Sequence, residues 1–295
     1  TVSHELRTPL TAILGWSHFL KKDVDDREKA RAAAAVIERN GRVQAQLITD
    51  LLDMSRIMSG KMRLDVQRVE LPLIIDLAIE SILPAANAKG LQIHRKIDPS
   101  AEPINGDPGR IQQIVWNLLS NAVKFTPRDG SIDVVLARVN THVEIRVSDT
   151  GEGIAADFLP YIFDRFRQAD SSKTRPHGGL GIGLALVKQL VELHGGRVHA
   201  TSGGKGQGAT FAVELPVSIS GEVREYSPAN PTTELDQMNA GTTLLGRIKV
   251  LVVDDEPDTV AMVRRLLEEN EAIVTTAASA EEALTILQSQ TFDVI

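Results

Sequence analysis

The first 60 residues carry apolar side chains at helical spacing and therefore predict two consecutive helices. Pro9 lies within the first of these and is expected to bend it, because proline removes one helical hydrogen bond. The polar stretch Lys21–Asp26 is typical of a turn between the helices. Apolar positions of the first helix are Leu6, Leu10, Ile13, Leu14 and Leu20. The second helix has a seam with steps of four and three, interrupted by one polar residue: Val36, Asn40, Val43, Leu47, Leu51, Met54 and Met58.

Two isolated helices of this kind cannot bury their apolar stripes. Pairing with a second copy of the chain would bury them in a four-helix bundle, so the pattern predicts a homodimer. An amphipathic hairpin packed against the rest of its own chain is the alternative.

The middle of the chain alternates between strand and helix patterns. Four apolar or alternating runs predict strands: Ile132–Ala137, Val143–Ser148, Val198–Ala200 and Thr210–Leu215. Three longer amphipathic runs predict helices: Leu73–Lys89, Arg110–Lys124 and Leu184–His194. This mixture favours an α+β sandwich, in which helices cover one face of a sheet.

The end of the chain differs in character from the middle. Residues Ser218–Gly246 are polar and contain prolines and glycines, which is typical of a linker. Residues Ile248–Ile295 then follow the order strand, helix, strand, helix, strand. Such alternation predicts a parallel, doubly wound α/β sheet.

Composition narrows the possible functions. A length of 295 residues predicts two or three domains, and the net charge of −7 disfavours nucleic-acid binding. The chain has no cysteine, which excludes disulfides and thiolate metal sites. No apolar run approaches the roughly 20 residues needed to cross a bilayer. We therefore expect this fragment to be cytoplasmic, whether or not the full-length protein is anchored in a membrane by another segment.

The segment Ser3–Leu10 (SHELRTPL) places a histidine on a short helical stretch. His4 and Thr8 are four residues apart and so share a helix face. Neutral imidazole is a nucleophile, and His4 could accept a phosphoryl group. Glu5 is a candidate base that takes up the imidazole proton, although neighbouring helical residues point in different directions.

The predicted helix Arg110–Lys124 has an amide-rich face opposite an apolar one. The polar face carries Gln113, Asn117, Asn121 and Lys124, with steps of four, four and three residues. Amide oxygens are hard ligands that suit Mg²⁺, and a lysine neutralises phosphate charge. This pattern favours a helix that covers a polar nucleotide pocket, with a surface helix bearing incidental amides as the alternative.

Two glycine-rich segments are candidates for binding a nucleotide. Asp149–Gly153 follows a predicted strand, where glycines allow tight turns and close ligand approach. Gly178–Leu184 opens a predicted helix, whose unshielded backbone N–H groups bind phosphate. A dinucleotide fingerprint is disfavoured for this second segment because no strand precedes it.

The polar segment Asp164–His177 lies just before the second glycine-rich segment and is predicted to form a mobile lid. Its Ser171, Lys173 and Arg175 could face the nucleotide. Phe163 and Phe166 could dock this lid, but core packing is favoured for both.

A third cluster, Asp254, Asp255 and Glu256, follows the first strand of the tail. Ligands of doubly wound folds bind beyond the carboxyl ends of the strands, where clustered carboxylates make a Mg²⁺ site. A charged strand-to-helix turn is the alternative.

In their order along the chain, these motifs resemble the H, N, G1, F and G2 boxes of the sensor histidine kinases. The tail resembles the start of a response-regulator receiver domain, so the chain is similar to part of a hybrid histidine kinase. The resemblance implies four segments. These are a dimerising phosphoacceptor hairpin over 1–62, a Bergerat-type ATP-binding sandwich over 63–217, a linker over 218–246, and the first part of a flavodoxin-like receiver over 247–295.

The resemblance also implies roles for individual residues. ATP would phosphorylate His4, and Thr8 would orient water during dephosphorylation of a partner receiver. Asn121 would coordinate Mg²⁺, and Asp149 would bind the adenine amino group. The remaining positions implied for the nucleotide site are Asn117, Lys124, Gly151, Gly153, Gly179, Gly181, Gly183 and Thr210. Asp254 and Asp255 match the acidic pair of receivers, which binds Mg²⁺.

The implied activity is ATP-dependent autophosphorylation of His4, followed by transfer to a receiver aspartate, with phosphatase action towards the receiver as a second implied activity. A catalytically silent dimeric scaffold and a Bergerat-type ATPase are the alternatives. The third tail strand stops at Ile295, before the expected phosphoacceptor aspartate. We therefore expect a tail that cannot accept a phosphoryl group and is poorly ordered, and an upstream sensor outside this sequence.

Overall fold

The computed structural model describes residues 2–22, 26–101, 103–167, 180–217 and 248–295. The chain divides into two compact units, Thr1–Tyr226 and Ser227–Ile295. The predicted linker 218–246, most of the predicted lid and Gly179 lie outside the described residues.

Two long helices open the first unit, as the apolar spacing predicts. Helix α1 covers Val2–Lys22 with Pro9 inside it, and α2 covers Arg27–Met58. Asp26 caps α2, because its Oδ1 accepts hydrogen bonds from the backbone N–H groups of Glu28 and Lys29 at 3.1 and 3.2 Å. We call this pair of helices the hairpin.

The apolar seam of α2 is divided between two surroundings. Met54 is buried in the core that the following strands and helices of the first unit form, and Leu47 and Leu51 pack against the same core. A different stripe stays exposed in the single chain, including Leu14 on α1 and Leu52 on α2. The seam predicted to pair with a second copy is therefore partly used within the chain.

A five-stranded mixed sheet forms the centre of the first unit. Two short strands, β1 (Gln67–Val69) and β3 (Ile104–Gly106), pair antiparallel outside it. The main sheet has the order β2-β4-β5-β7-β6, in which only β2 and β4 run parallel. Its strands are β2 (Gln92–Ile97), β4 (Ser131–Val139), β5 (His142–Asp149), β6 (Arg197–Thr201) and β7 (Ala209–Pro216).

Three helices cover one face of this sheet, as the sequence predicts. They are α3 (Leu71–Ala88), α4 (Pro108–Phe125) and α5 (Gly183–Leu193). Alternate residues of the central strands are buried beneath them, for example Val134, Leu136, Ile145, Val147 and Val213. The opposite face is polar, so the two-residue period of the strands separates core from solvent.

Helix α3 corrects one expectation from the sequence. Among the described residues, this is the one helix long and apolar enough to cross a membrane by length and composition. Its Leu71, Ile74, Ile75 and Ala78 are buried in the core, as the core helix of a folded domain requires.

His194 ties the end of α5 to the start of α4. Its Nδ1 lies 2.7 Å from the carbonyl oxygen of Leu190, and its Nε2 accepts the backbone N–H of Asp107 at 3.0 Å. Asp107 in turn caps α4 by accepting the N–H of Arg110 at 3.1 Å. His194 is thus a buried structural residue, a role that no spacing in the sequence indicates.

The second unit is a small parallel α/β arrangement. It contains β8 (Lys249–Val253), α6 (Pro257–Glu269), β9 (Ile273–Ala277) and α7 (Ala280–Leu287). Strands β8 and β9 pair parallel, and Val294 forms a parallel bridge to Val250 on the other side of β8. The described residues thus form a folded unit, where the sequence led us to expect poor order.

Candidate active site

The carboxylate at the end of β5 is held by two backbone donors. Asp149 Oδ1 accepts the N–H of Gly151 at 2.8 Å and that of Ala209 at 3.3 Å. Burial raises the pKa of the Asp149 carboxyl, and the two N–H bonds oppose this rise. Among the described residues, both backbone donors reach Oδ1, so Oδ2 is the oxygen positioned to accept from a ligand.

Glycines let two loops approach this carboxylate closely. A Cβ on Gly151 would lie 2.6 Å from Asp149 Oδ1, and a Cβ on Gly153 would lie 2.0 Å from the carbonyl oxygen of Gly204. Gly153 also has a φ of +67°, which side chains rarely adopt. These two glycines of the predicted motif therefore shape the loop, as expected for a pocket wall.

Residues that the sequence analysis missed complete the same wall. Gly208 has a φ of +67°, and a Cβ there would lie 2.0 Å from the carbonyl oxygen of Asp149. Ser202 Oγ accepts the N–H of Ile154 at 2.9 Å and donates to the carbonyl oxygen of Gly208 at 2.6 Å. The glycine-rich run at 203–208 was the signal available in the sequence, because four glycines in six residues indicate a tightly folded loop.

Thr210 hydrogen-bonds to the neighbouring strand of the sheet. Its Oγ1 donates to Ser148 Oγ at 2.9 Å, across the β5–β7 pairing. The backbone N–H of Ala209, rather than the Thr210 hydroxyl, holds Asp149. Thr210 thus orders the strand next to the carboxylate.

Helix α4 carries the predicted amide face past this pocket. Asn117 is buried, and its Nδ2 donates to the carbonyl oxygen of Gln113 at 2.9 Å. Its Oδ1 faces the start of α5, since a Cβ on Gly183 would lie 2.9 Å from it. Asn121, one turn further on, is half-buried. Asn117 therefore fits closely under α5, and Asn121 is the more accessible amide.

Lys124 ends this face. Burial lowers the pKa of the Lys124 ammonium, and the nearby charge of Glu5 on α1 opposes that change. Its Nζ lies 4.9 Å from the ring centroid of Phe125. The Lys124 ammonium is thus within range of the electrostatic effect of Glu5, which lies in the first turn of α1.

The start of α5 forms the other side of the pocket. Gly181 has a φ of +65°, and a Cβ there would lie 2.6 Å from the carbonyl oxygen of Arg167. Among the described residues, no side chain caps α5 at Ile182, so the first backbone N–H groups of α5 are suited to an anion. Phe163 packs edge-on against Phe211, with centroids 6.4 Å apart, whereas Phe166 is exposed. The core prediction is thus right for Phe163 and wrong for Phe166.

The predicted phosphoacceptor lies in the first turn of α1. His4 belongs to that helix, but its side chain is outside the described part of the structure. Glu5 is half-buried and Thr8 is exposed on the same helix. Ser171, Lys173, Arg175 and Gly179 also lie outside the described residues.

The acidic residues of the second unit follow β8, as predicted. Asp254 Oδ1 accepts the backbone N–H of Glu256 at 2.8 Å. Asp254 is half-buried and Asp255 is exposed. Two neighbouring carboxylates at the carboxyl end of a parallel strand are chemically suited to a hard divalent cation.

Comparisons with known proteins show the family to which the chain belongs. Residues 1–60 match the His Kinase A (phospho-acceptor) domain, and residues 106–219 match the histidine kinase-, DNA gyrase B- and HSP90-like ATPase family. The chain is 40% identical to hybrid signal transduction histidine kinase D of Dictyostelium discoideum, covering 73% of this chain and 17% of that protein. It is 34% identical to the autoinducer 2 sensor kinase/phosphatase LuxQ of Vibrio vulnificus, covering 100% of this chain and 34% of LuxQ.

One solved structure resembles nearly the whole chain. It is full-length ShkA in complex with AMPPNP, with a TM-score of 0.57 and 28% identity over 97% of this chain and 56% of ShkA. The chain therefore spans only part of each of these relatives.

Proposed function

The chain belongs to the two-component histidine kinases, and from this premise we propose that it transfers the γ-phosphoryl group of ATP to His4. The observation that carries the proposal is the direct bond between the hairpin and the nucleotide-site helix, in which Arg110 Nη1 of α4 donates to Asp53 Oδ2 of α2 at 2.6 Å. In addition, the charge of Glu5, next to His4, opposes the lowering of the Lys124 pKa by burial. A phosphoacceptor turn beside a nucleotide pocket is the arrangement that phosphoryl transfer needs.

ATP is the proposed nucleotide. Asp149 would accept a hydrogen bond from the adenine amino group through Oδ2, and the loops around Gly151, Gly153 and Gly208 would enclose the base. The uncapped start of α5, with Gly181 and Gly183, would hold phosphate oxygens. Binding of the ATP analogue AMPPNP by ShkA supports this choice.

Mg²⁺ is the proposed metal, with Asn121 as its protein ligand. An amide oxygen fits a hard cation that keeps several waters and bridges phosphates. When bound, the ion would neutralise charge on the transferred group. Lys124 would add a positive charge at the same end of α4, and Asn117 would fix the helix against α5.

His4 would attack the γ-phosphorus in line while the bond to the β-phosphate oxygen breaks, and ADP would leave. The imidazole must be neutral to attack through one ring nitrogen, and the proton on the other nitrogen has to be taken up as the N–P bond forms and the ring becomes positively charged. Glu5 is the proposed acceptor of that proton. Thr8, on the face of His4, would position water to hydrolyse the phosphoryl group from the aspartate of a partner receiver.

A receiver domain is the proposed partner of phosphorylated His4. The second unit would be the beginning of such a domain, with Asp254 and Asp255 as carboxylates for Mg²⁺. Two features support this proposal. Strand β9 and Val294 pair in parallel with β8 on its two sides, and the acidic pair follows β8 directly.

A homodimer is the proposed assembly, formed through the exposed stripe of the hairpin. Leu14 and Leu52 are 62% and 54% exposed in the single chain, which is unfavourable for large apolar side chains in water. Light scattering is expected to give twice the chain mass of 32.0 kDa at micromolar concentration. A purely monomeric chain would contradict the four-helix bundle.

Incubation with ATP labelled at the γ-phosphate tests the function. We expect a labelled chain whose phosphate is lost in acid and retained in base, as for phosphohistidine. Release of inorganic phosphate without a labelled chain would instead indicate a Bergerat-type ATPase. Absence of both products would indicate a silent scaffold.

A further inference from the structure

A buried carboxylate of the hairpin is bound to the helix that carries the nucleotide-site amides. Asp53 on α2 is 3% exposed. Its Oδ2 accepts Arg110 Nη1 at 2.6 Å and Gln113 Nε2 at 3.1 Å. Arg110 Nη1 also donates to Gln113 Oε1 at 2.8 Å. The three side chains thus form a closed polar network between α2 and the first turns of α4, which we call the α2–α4 latch.

Burial beside the latch restricts the positions that its side chains can adopt. Met54, the next residue of α2, is buried in the core that also contains the apolar face of α4, which we call the nucleotide-site layer. Water is therefore excluded on one side, and a carboxylate left there without its cation would be strongly unfavourable. A buried ion pair that is also bonded by an amide tolerates little displacement, because every alternative position leaves a donor or the charge unsatisfied.

The latch acts on the part of α4 that matters for the nucleotide. Gln113 lies one turn before Asn117 and two turns before Asn121 on the same face. At the other end of α4, the charge of Glu5 on α1 of the same hairpin opposes the lowering of the Lys124 pKa by burial. Fixing the start of α4 on α2 therefore fixes where its amide face stands relative to the first turn of α1.

We propose that Asp53 is a positioning residue for phosphoryl transfer, because the α2–α4 latch sets the location of the nucleotide-binding helix relative to the phosphoacceptor turn. This inference rests on the proposed function. Asp53 makes its described contacts with Arg110 and Gln113 and acts through α4. It should therefore influence the transfer step and leave the affinity for the nucleotide nearly unchanged.

The test compares Asp53→Asn with the matched control Asp50→Asn. Asp50 is also buried on α2, but its hydrogen bond comes from Gln46 of the same helix at 2.8 Å. Two quantities are measured for each variant: the dissociation constant for AMPPNP, and the single-turnover rate of His4 phosphorylation at saturating ATP. The double variant Asp53→Arg with Arg110→Asp restores the pair with its charges exchanged.

Asp53→Asn is expected to slow phosphorylation by about 10- to 100-fold, the usual effect of a small misplacement of reacting groups. Its AMPPNP affinity and that of Asp50→Asn should match wild type, and Asp50→Asn should keep the wild-type rate. Partial recovery of the rate in the charge-exchanged variant would support a direct pair.

An unchanged or faster rate in Asp53→Asn would overturn the inference, and so would a rate loss matched by an equal loss of AMPPNP affinity. If the charge-exchanged variant does not fold, the Asp53→Asn result decides alone. Failure of the wild type to form phosphohistidine would count against the proposed function, and would be seen before any variant is compared.

Discussion

Replacing His4 with glutamine is expected to abolish the acid-labile label while nucleotide binding is retained. Glutamine is polar and has a good helix propensity, so α1 should keep its form. It lacks a ring nitrogen that can attack phosphorus at neutral pH. The proposed nucleotide contacts lie in the other module, at Asp149, Asn121 and the start of α5, so the affinity for AMPPNP should stay at the wild-type value.

The matched control is His18→Gln, on the exposed surface of the same helix. It changes the same chemical group three to four turns away and should leave both labelling and binding unchanged. Phosphorylation is followed by the radioactivity retained on the chain after base treatment, and binding by calorimetry. Acid-labile label on the His4→Gln chain would show that another residue is the acceptor.

Replacing Asp149 with asparagine is expected to weaken ATP binding by about 10- to 150-fold. The lost hydrogen bond joins a charged acceptor to the adenine amino group, and such bonds contribute about 1.5–3 kcal/mol. The asparagine Nδ2 would also place a donor against that amino group. Its Oδ1 could still accept from Gly151 and Ala209, so the loop should keep its conformation.

The same change is expected to act in the opposite direction on the stability of the nucleotide-free protein. Burial raises the pKa of Asp149, so the folded state binds more protons than the unfolded state just above the ordinary carboxyl pKa. The free energy of unfolding of the wild type therefore falls as pH rises through this window. The Asp149→Asn variant has no carboxyl group at this position, so its free energy of unfolding lacks this decrease with pH. At neutral pH the nucleotide-free variant should therefore be at least as stable as the wild type.

Thermal melts with and without AMPPNP, at neutral and at acidic pH, measure both effects. The control Asp133→Asn lies at an exposed position of β4, opposite Ser148 in the sheet. It should alter neither the affinity nor the difference in melting between the two pH values. Unchanged ATP affinity in Asp149→Asn would remove this carboxylate from the adenine site.

The sequence alone predicted the elements in which buried residues recur with the period of a strand or a helix. Strand β5 alternates between apolar and polar residues, β4 contains a mostly apolar run, and the apolar face of α4 is continuous, so each was predicted to within about two residues. Strand β2 was missed because its QIHRKI sequence is mostly polar and exposed. Its place comes from parallel pairing with β4, a contact 39 residues away that no local pattern encodes.

The candidate site likewise contains residues that local sequence motifs predict and contacts that only tertiary packing creates. Asp149 and its glycines follow directly from a strand end and a turn motif. The contact of Asp53 with Arg110 joins residues 57 positions apart, and the role of Ser202 depends on a loop that folds back on β5. Such contacts arise from tertiary packing, so they become visible only when the chain is folded.

The seam of α2 shows how packing redirects a correct pattern. Its heptad spacing predicted a helical interface, and an interface is formed. However, Leu47, Leu51 and Met54 pack towards the nucleotide-site layer of the same chain. Spacing identifies which residues share a face, but it does not identify the surface that the face contacts.

The burial of Met54 has a consequence for how this protein can be divided. A cut near residue 60 follows the end of the segment that matches the His Kinase A domain, yet it would take Met54 out of the core that it shares with the following residues and expose it. We therefore expect each part to melt at a lower temperature alone than within the intact chain. A boundary drawn from the family match would then not be a boundary of cooperative unfolding.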